Sequence, residues 1–237
     1  MATYMLVHGG GHGGWCYDKL AALLRRSGHD VYAPSLTGLG DSHHLLDPSI
    51  DLNTHIEDVA NLLFYHDLTQ VILAGHSYGG MVITGVADRF PDRLKYLVYL
   101  DASRPSSGQS LIDVAPAMMA FARSDSRTVE GTELVLWPNS LSAERQGVSD
   151  PADAAWMMER LTPHPWKCFE QKLELADEAR VESIPRAMIN CTPTLAKRSS
   201  EQLDRVSDGR FVWEIDTGHD LMITEPEAVA EMLLQLA

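Results

Sequence analysis

Short runs of aliphatic residues alternate with stretches of helical periodicity along most of the chain. The apolar runs predict strands over residues 4–7, 30–34, 70–74, 94–100, 187–191 and 211–215. The amphipathic stretches predict helices over residues 17–27, 52–67, 81–90, 200–206 and 226–236. The run at 70–74 is apolar throughout, as in a strand covered on both faces. The alternation therefore predicts an α/β fold with a mostly parallel central sheet and helices on both faces.

The alternation stops between about residues 104 and 183. This segment instead carries tryptophan, methionine and phenylalanine side chains that are repeatedly interrupted by proline. Such a pattern favours short helices outside the sheet over further strands of it. We therefore predict a core formed by residues 1–103 and 184–237, with a small helical insertion at 104–183.

Composition and charge exclude some classes of function but do not identify the function. The 237 residues carry a net charge of −14, and a surface that acidic repels nucleic acid and anionic lipid. We therefore expect neither nucleic acid nor membrane as a partner. The three cysteines are widely spaced and form no metal motif, so we expect reduced thiols, no metal and no cofactor. No apolar stretch approaches the about 20 residues that span a bilayer. We expect a cytoplasmic protein, and a homodimer stays open.

Residues 75–80 join a predicted buried strand to a predicted helix. They contain the pattern G-x-S-x-G, in which a serine lies on a sharp strand-to-helix turn. Glycines at positions 75 and 79 avoid a clash across this turn, which leaves the Ser77 hydroxyl exposed above the carboxyl end of the sheet. We predict that Ser77 is a nucleophile. The alternative is a glycine-rich turn whose serine only caps the helix.

A second glycine-rich loop, residues 8–15, follows the first predicted strand. A negative oxygen formed beside Ser77 needs two preorganised N–H donors, and we predict those of Gly10 and Tyr78. The same loop fits the dinucleotide pattern G-x-G-x-x-G. However, the next strand lacks the acidic residue that a dinucleotide site needs at its end. An oxyanion hole is therefore favoured over a nucleotide site.

These motifs together resemble the α/β-hydrolase superfamily, and within it the branch of plant methylesterases, hydroxynitrile lyases and related bacterial esterases. The matching stretches are residues 6–16, 28–31, 75–80 and 218–219, and they are spread over nearly the whole chain outside the insertion. The resemblance implies an α/β-hydrolase fold. It also implies that the insertion is a helical cap between the fourth and fifth core strands.

Among the ten histidines, His219 is the predicted general base. It follows the last predicted strand, and a chain order with the serine early and the histidine last is the order of this fold. Its task would be to take the proton of Ser77 and later to protonate the leaving group. Most of the other histidines are expected to be structural.

The acid that should orient this base is the point at which the chain departs from the resembled family. The resemblance places it near Thr194, where the chain has no carboxylate. We predict Asp101 as the replacement because it ends the strand beside the nucleophile strand, and the carboxyl ends of such strands converge. Certain haloalkane dehalogenases of the superfamily take their acid from this earlier strand. Two alternatives remain: Asp101 only caps a turn, or Asp204 supplies the acid.

Together these residues predict a serine hydrolase that cleaves a carboxylic ester through an acyl-enzyme. The aromatic and methionine side chains of the insertion predict a largely apolar pocket. The candidate pocket residues are Trp137, Met118, Trp156 and His164. The expected partner is therefore a small hydrophobic or aromatic ester, or a lactone.

Two other uses of the same site stay open: a lyase-type, non-hydrolytic reaction and a non-enzymatic ligand receptor. Cyanohydrin cleavage is disfavoured because Gly9 and Asp220 stand where the resembled lyases have threonine and lysine. A dehalogenase is disfavoured because it needs a carboxylate at position 77. An intact pair of Ser77 and His219 weakens the receptor hypothesis without removing it.

Overall fold

The predicted strands form a parallel sheet in the computed structural model, which describes residues 1–102, 104–140 and 142–237. The strands are β1 (Thr3–Val7), β2 (Asp30–Tyr32), β3 (Val71–His76), β4 (Leu94–Leu100), β5 (Arg127–Val129), β6 (Thr132–Val135), β7 (His164–Pro165), β8 (Arg186–Cys191) and β9 (Phe211–Ile215). Within the described residues, six of them form the central sheet in the order β2-β1-β3-β4-β8-β9, and every neighbouring pair is parallel. The predicted α/β fold class is confirmed.

Helices cover both faces of this sheet. The α-helices of the described residues are α1 (Asp18–Arg26), α2 (Leu52–Tyr65), α3 (Gly79–Arg89), α4 (Leu111–Val114), α5 (Pro116–Arg123), α6 (Ser142–Gln146), α7 (Pro151–Met158), α8 (Lys167–Glu170), α9 (Glu178–Ser183), α10 (Thr192–Leu195), α11 (Ser200–Ser207), α12 (Leu221–Thr224) and α13 (Pro226–Leu234). Alternate strand residues point to opposite faces, so Leu73 packs with α2 and α3 while Ile72 packs with α1 and α13. Among the described residues, no helix has the length and apolar character needed to cross a membrane.

The chain between β4 and β8 holds the segment predicted as a helical insertion. It contains α4 to α9, and it also contains a small antiparallel sheet, β5-β6-β7, that the sequence pattern did not predict. These strands are two to four residues long, and all three residues of β5 are exposed. They are therefore too short to show the alternation of apolar and polar residues that is typical of a strand. The predicted core boundary at Ser103 lies outside the described residues.

The register of the central strands brings the predicted site residues to one edge of the sheet. His76 at the end of β3 pairs with Leu100 at the end of β4, so Ser77 and Asp101 leave the sheet at the same level. Two backbone hydrogen bonds hold this arrangement. The Ser77 N–H donates to the Leu100 carbonyl at 3.2 Å, and the Asp101 N–H donates to the Ile189 carbonyl of β8 at 2.7 Å.

Candidate active site

The predicted nucleophile lies on a strained turn between β3 and α3. Ser77 has a φ of +52°, in the left-handed region that non-glycine residues rarely occupy. The turn is tight: a Cβ atom on Gly75 would lie 2.5 Å from the carbonyl oxygen of Gly79. Such strain persists only where the surrounding structure fixes it, and it is concentrated at functional sites. The geometry therefore fits the predicted nucleophile elbow.

The loop after β1 packs directly against this elbow. A Cβ atom on Gly9 would lie 2.7 Å from His76 Nδ1 and 3.0 Å from Ser77 Cβ, so only glycine allows this approach. Neither the Gly10 N–H nor the Tyr78 N–H donates to an acceptor among the described residues. Neither predicted oxyanion donor is therefore used in a hydrogen bond among these residues, as the prediction requires.

The direction of the Gly10 N–H is fixed by His8. The Leu36 N–H donates to His8 Nε2 at 3.0 Å, so the proton of the neutral ring is on Nδ1, which donates to the Gly9 carbonyl at 2.8 Å. Burial lowers the pKa of His8 to about 3, which keeps the ring neutral. In a trans peptide the C=O and N–H groups point in opposite directions. Holding the Gly9 carbonyl therefore aims the Gly10 N–H.

The predicted base and acid are joined by a short hydrogen bond. His219 Nδ1–H donates to Asp101 Oδ2 at 2.6 Å, which leaves Nε2 as the nitrogen that can accept a proton. Asp101 itself has a φ of +43°, so both predicted residues that follow a strand end are in the left-handed region. Among the described residues, Ser77 Oγ does not hydrogen-bond to His219. Such bonds are often long without substrate and tighten when it binds.

The carboxylate of Asp101 is buried but well supported. Burial opposes its charge, yet the hydrogen bond and charge of His219, a hydrogen bond with Thr194 and the charge of Arg198 bring the pKa of Asp101 down to about 2. The Cys191 N–H donates to Asp101 Oδ1 at 3.3 Å, and Arg198 Nη2 lies 3.6 Å from the same oxygen. Thr194, which stands at the usual acid position, thus interacts with the predicted replacement acid.

Two further residues bear on the choice of acid: the alternative candidate Asp204 and the cation Arg198. Asp204 is exposed on α11, so nothing in its position favours it as the acid. Arg198 follows α10, and the sequence analysis did not single it out. Arg198 is a charged residue in a polar segment, and no sequence pattern there predicts its contact with a carboxylate at the end of a strand.

A buried polar cluster lies on the other side of Tyr78. His55, His164 and Cys168 bring metal-ligand atoms within 4.8 Å of one another. The Gly11 N–H donates to His164 Nδ1 at 3.2 Å, so His164 Nε2 keeps the ring proton and cannot ligate a metal. Tyr78 Oη lies 2.9 Å from His55 Nδ1. The cluster therefore fits a support for the elbow and its loop better than a metal site.

The predicted pocket residues lie in different surroundings. The Trp137 indole N–H donates to the Leu134 carbonyl at 3.1 Å, and Met118 is 42% exposed. Trp156 packs edge-on against Trp15. His164 is fully buried and supports the loop at Gly11. A pocket role for these four residues stays a prediction.

Two side chains of the segment between β4 and β8 approach the oxyanion loop more closely. A Cβ atom on Gly10 would lie 2.9 Å from Leu136 Cδ1 and 3.2 Å from Phe169 Cζ. Sequence reasoning did not choose either residue for the pocket. Leu136 has a φ of +58°, and a signal of that kind belongs to the backbone and is not visible in the sequence.

A parallel sheet of this order, with a serine on a strained turn between β3 and α3, defines the class of α/β hydrolases. The chain belongs to the alpha/beta hydrolase family, which matches residues 5–232. The resemblance to this superfamily is therefore confirmed.

Individual relatives extend over the whole chain. A carbendazim hydrolyzing esterase from Nocardioides sp. (strain SG-4G) is 35% identical over 246 residues, with 100% of both chains covered. Methylesterase 2 from Arabidopsis thaliana is 27% identical, and the match covers 99% of this chain and 95% of the relative. An extracellular alpha/beta-hydrolase from a Paenibacillus species has a TM-score of 0.84 at 27% identity, with 100% of this chain and 99% of that one covered. It is described as sharing structural and functional homology with tobacco salicylic acid binding protein 2.

Proposed function

We propose that the protein hydrolyses a hydrophobic or aromatic carboxylic ester, or a lactone, through an acyl-enzyme on Ser77. The general class, a carboxylic ester hydrolase, is confirmed by relatives that are named esterase and methylesterase. The observation that carries the assignment of residues is the 2.6 Å hydrogen bond from His219 to Asp101, beside a serine held at a φ of +52°.

In this proposal each residue has one task. Ser77 Oγ attacks the ester carbonyl while His219 Nε2 takes its proton, and the N–H groups of Gly10 and Tyr78 bind the oxyanion. Asp101 stabilises the imidazolium that forms. Collapse of the intermediate breaks the bond to the alcohol, which leaves with the proton from His219. Water then enters by the same path, and its attack releases the acid and restores the serine.

The substrate class is proposed from the surroundings of the oxyanion loop. Leu136 and Phe169 lie beside Gly10 and offer apolar surface to the acyl group. We propose that residues 104–183 act as a cap over the site, with the four predicted pocket residues among its lining. Since these relatives are named methylesterase and carbendazim hydrolyzing esterase, methyl esters and carbendazim are the first substrates to test. A cytoplasmic location and a homodimer stay predictions.

The test is hydrolysis of a panel of p-nitrophenyl, aryl and methyl esters, together with stoichiometric labelling by a p-nitrophenyl phosphonate. The wild type should hydrolyse some of the esters and gain the mass of one phosphonyl group on Ser77. Ser77→Ala should lose both, since removal of a nucleophile leaves about 10⁻⁶ of the activity. The matched control, Asp204→Asn, changes an exposed carboxylate and should leave both unchanged.

Three results would overturn this proposal. Ester turnover that persists in Ser77→Ala would remove the serine from the mechanism. A wild type that binds aromatic esters or acids but turns none over, and is not labelled, would favour the receptor hypothesis. Formation of a product other than acid and alcohol would favour the lyase-type reaction.

A further inference from the structure

Three buried polar side chains lie directly behind the candidate site, and the proposed mechanism uses none of them. They are His12, His76 and Asp220, and at most 1% of the surface of each is exposed to solvent. Each also belongs to a different segment of the site. His12 is in the oxyanion loop, His76 precedes the nucleophile, and Asp220 follows the base.

The contacts of His12 fit a charged ring. Its Nδ1 lies 2.9 Å from the Gly10 carbonyl oxygen, and its Nε2 lies 2.9 Å from Asp220 Oδ2. The Gly10 carbonyl and the ionised carboxylate of Asp220 are both acceptors, so both nitrogens make hydrogen bonds only when both carry protons. Burial disfavours this charge, but the charge and hydrogen bond of Asp220 outweigh it and raise the pKa of His12. The same pairing lowers the pKa of Asp220 against the effect of burial.

His76 adds a neutral contact to this ion pair. Its Nε2–H donates to the His219 carbonyl at 3.0 Å, and the same nitrogen lies 3.8 Å from Asp220 Oδ1. Burial, with the charge of neighbouring His219 next, lowers the pKa of His76 to about 3, so the ring stays uncharged. The cluster thus holds one positive and one negative charge, and every member bonds to a segment that carries a proposed catalytic group.

We infer that His12 and Asp220 are positioning residues, and that their buried ion pair fixes the oxyanion loop relative to the loop that carries the base. This inference rests on the proposed function, because it assigns a task to the same site. The pair connects Gly10, through its carbonyl, with the residue next to His219.

The same peptide group is held at both ends. The Gly10 carbonyl accepts from His12, and the N–H of the next residue, Gly11, donates to His164. The orientation of the neighbouring Gly10 N–H depends on how this peptide sits. A misplacement of about 1 Å in such a site can cost about 10²-fold in rate. Loss of one oxyanion donor costs about 10²–10³-fold in kcat.

The experiment compares Asp220→Ala with Asp220→Asn, and uses Asp216→Asn, an exposed carboxylate on the same loop, as the control. Asparagine can donate to Nε2 of a neutral His12, whose Nδ1–H still donates to Gly10, so the geometry persists without the charges. We expect Asp220→Ala to lower kcat by about 10²-fold with little change in KM. Asp220→Asn should stay within about tenfold of the wild type, and the control should not change.

The pH profile separates positioning from general stability. The raised pKa of His12 means that its contribution is complete below its ordinary value near 6.5 and is lost as the pH rises through the raised value. The wild type should therefore lose acylation rate at alkaline pH, and Asp220→Asn, whose His12 is already neutral before the alkaline range, should lack that limb. If Asp220→Ala does not fold, as judged by circular dichroism, the alkaline limb of Asp220→Asn still decides.

Two further readouts keep this inference apart from the proposed function. The rate of Ser77 phosphonylation tests the cluster even if no ester is turned over. Nitrogen-15 spectra of the His12 ring test its charge without any reaction, and they should show two protonated nitrogens in the wild type and one in Asp220→Asn. A neutral His12 in the wild type, an unchanged rate in Asp220→Ala, or the same alkaline limb in Asp220→Asn would each overturn the inference.

Discussion

Two buried carboxylates flank His219, and their surroundings differ in a way that supports the different tasks proposed for them. Asp101 accepts from the ring of His219, while Asp220 is its neighbour along the chain and accepts from His12. Both side chains are fully shielded from solvent. Burial alone therefore does not identify the acid of a catalytic pair. What distinguishes the two is the atom that each carboxylate binds.

The two carboxylates also differ in how their charge is supported. Asp101 has a backbone N–H of Cys191 at 3.3 Å and the Arg198 guanidinium at 3.6 Å in addition to His219. Asp220 has one strong partner, His12, and its Oδ1 has no hydrogen bond among the residues that the structure describes. The first carboxylate can lose one neighbour and stay ionised. The charge of the second depends chiefly on its ion pair with His12.

Between the two carboxylates, the larger effect should come from Asp101→Asn. Asparagine can offer only its carbonyl oxygen or its N–H₂ group, which removes the charge that stabilises the imidazolium and favours the wrong tautomer of His219. We expect kcat to fall by about 10²–10⁴-fold with the ester panel. The comparison with Asp220→Asn, expected within about tenfold of the wild type, sharpens the contrast. Equal losses in both variants would contradict the two assignments, and a larger loss at position 220 would exchange them.

Much of this contrast could be predicted from the sequence on the Asp101 side. The position of Asp101 is predictable because the hydrophobic runs indicate the strands, and parallel strands end at a shared edge of the sheet. In the structure, the register of β3 with β4 places Asp101 level with Ser77. For Asp220, the sequence indicates only that cyanohydrin cleavage is disfavoured. Its contact with His12 joins residues 208 positions apart, and no periodicity reports such a contact. The fold class followed from alternation, while the short strands of the insertion did not.

A second prediction moves the acid back to the position where the resembled family has it. Thr194 already contacts Asp101, so a carboxylate there would lie near His219. In the background of Asp101→Asn, the change Thr194→Asp should recover roughly tenfold or more of the activity lost, because a charged acceptor again stabilises the imidazolium. Ala196→Asp, an exposed position just beyond α10, is the control for added charge. Recovery by the control as well would show that general charge, and not the location of the acid, matters.

The smallest effect should come from Arg198→Met, which removes one of several supports of Asp101. The hydrogen bond from His219 remains, so activity near neutral pH should fall only about two- to fivefold, as for a partly exposed charge pair. The pKa of Asp101, held at about 2, lies below its ordinary value, so its contribution to stability is present above about pH 4 and is lost as the pH falls through about 2.

Without Arg198 the pKa of Asp101 should rise, and this loss should begin at higher pH. Acid unfolding followed by circular dichroism should therefore shift its midpoint upward in Arg198→Met, and not in Lys197→Met, which removes an exposed positive charge from the adjacent residue. Equal shifts in the two variants would mean that only net charge was changed. A shift confined to Arg198→Met would show that Arg198, in addition to His219, supports the charge of Asp101.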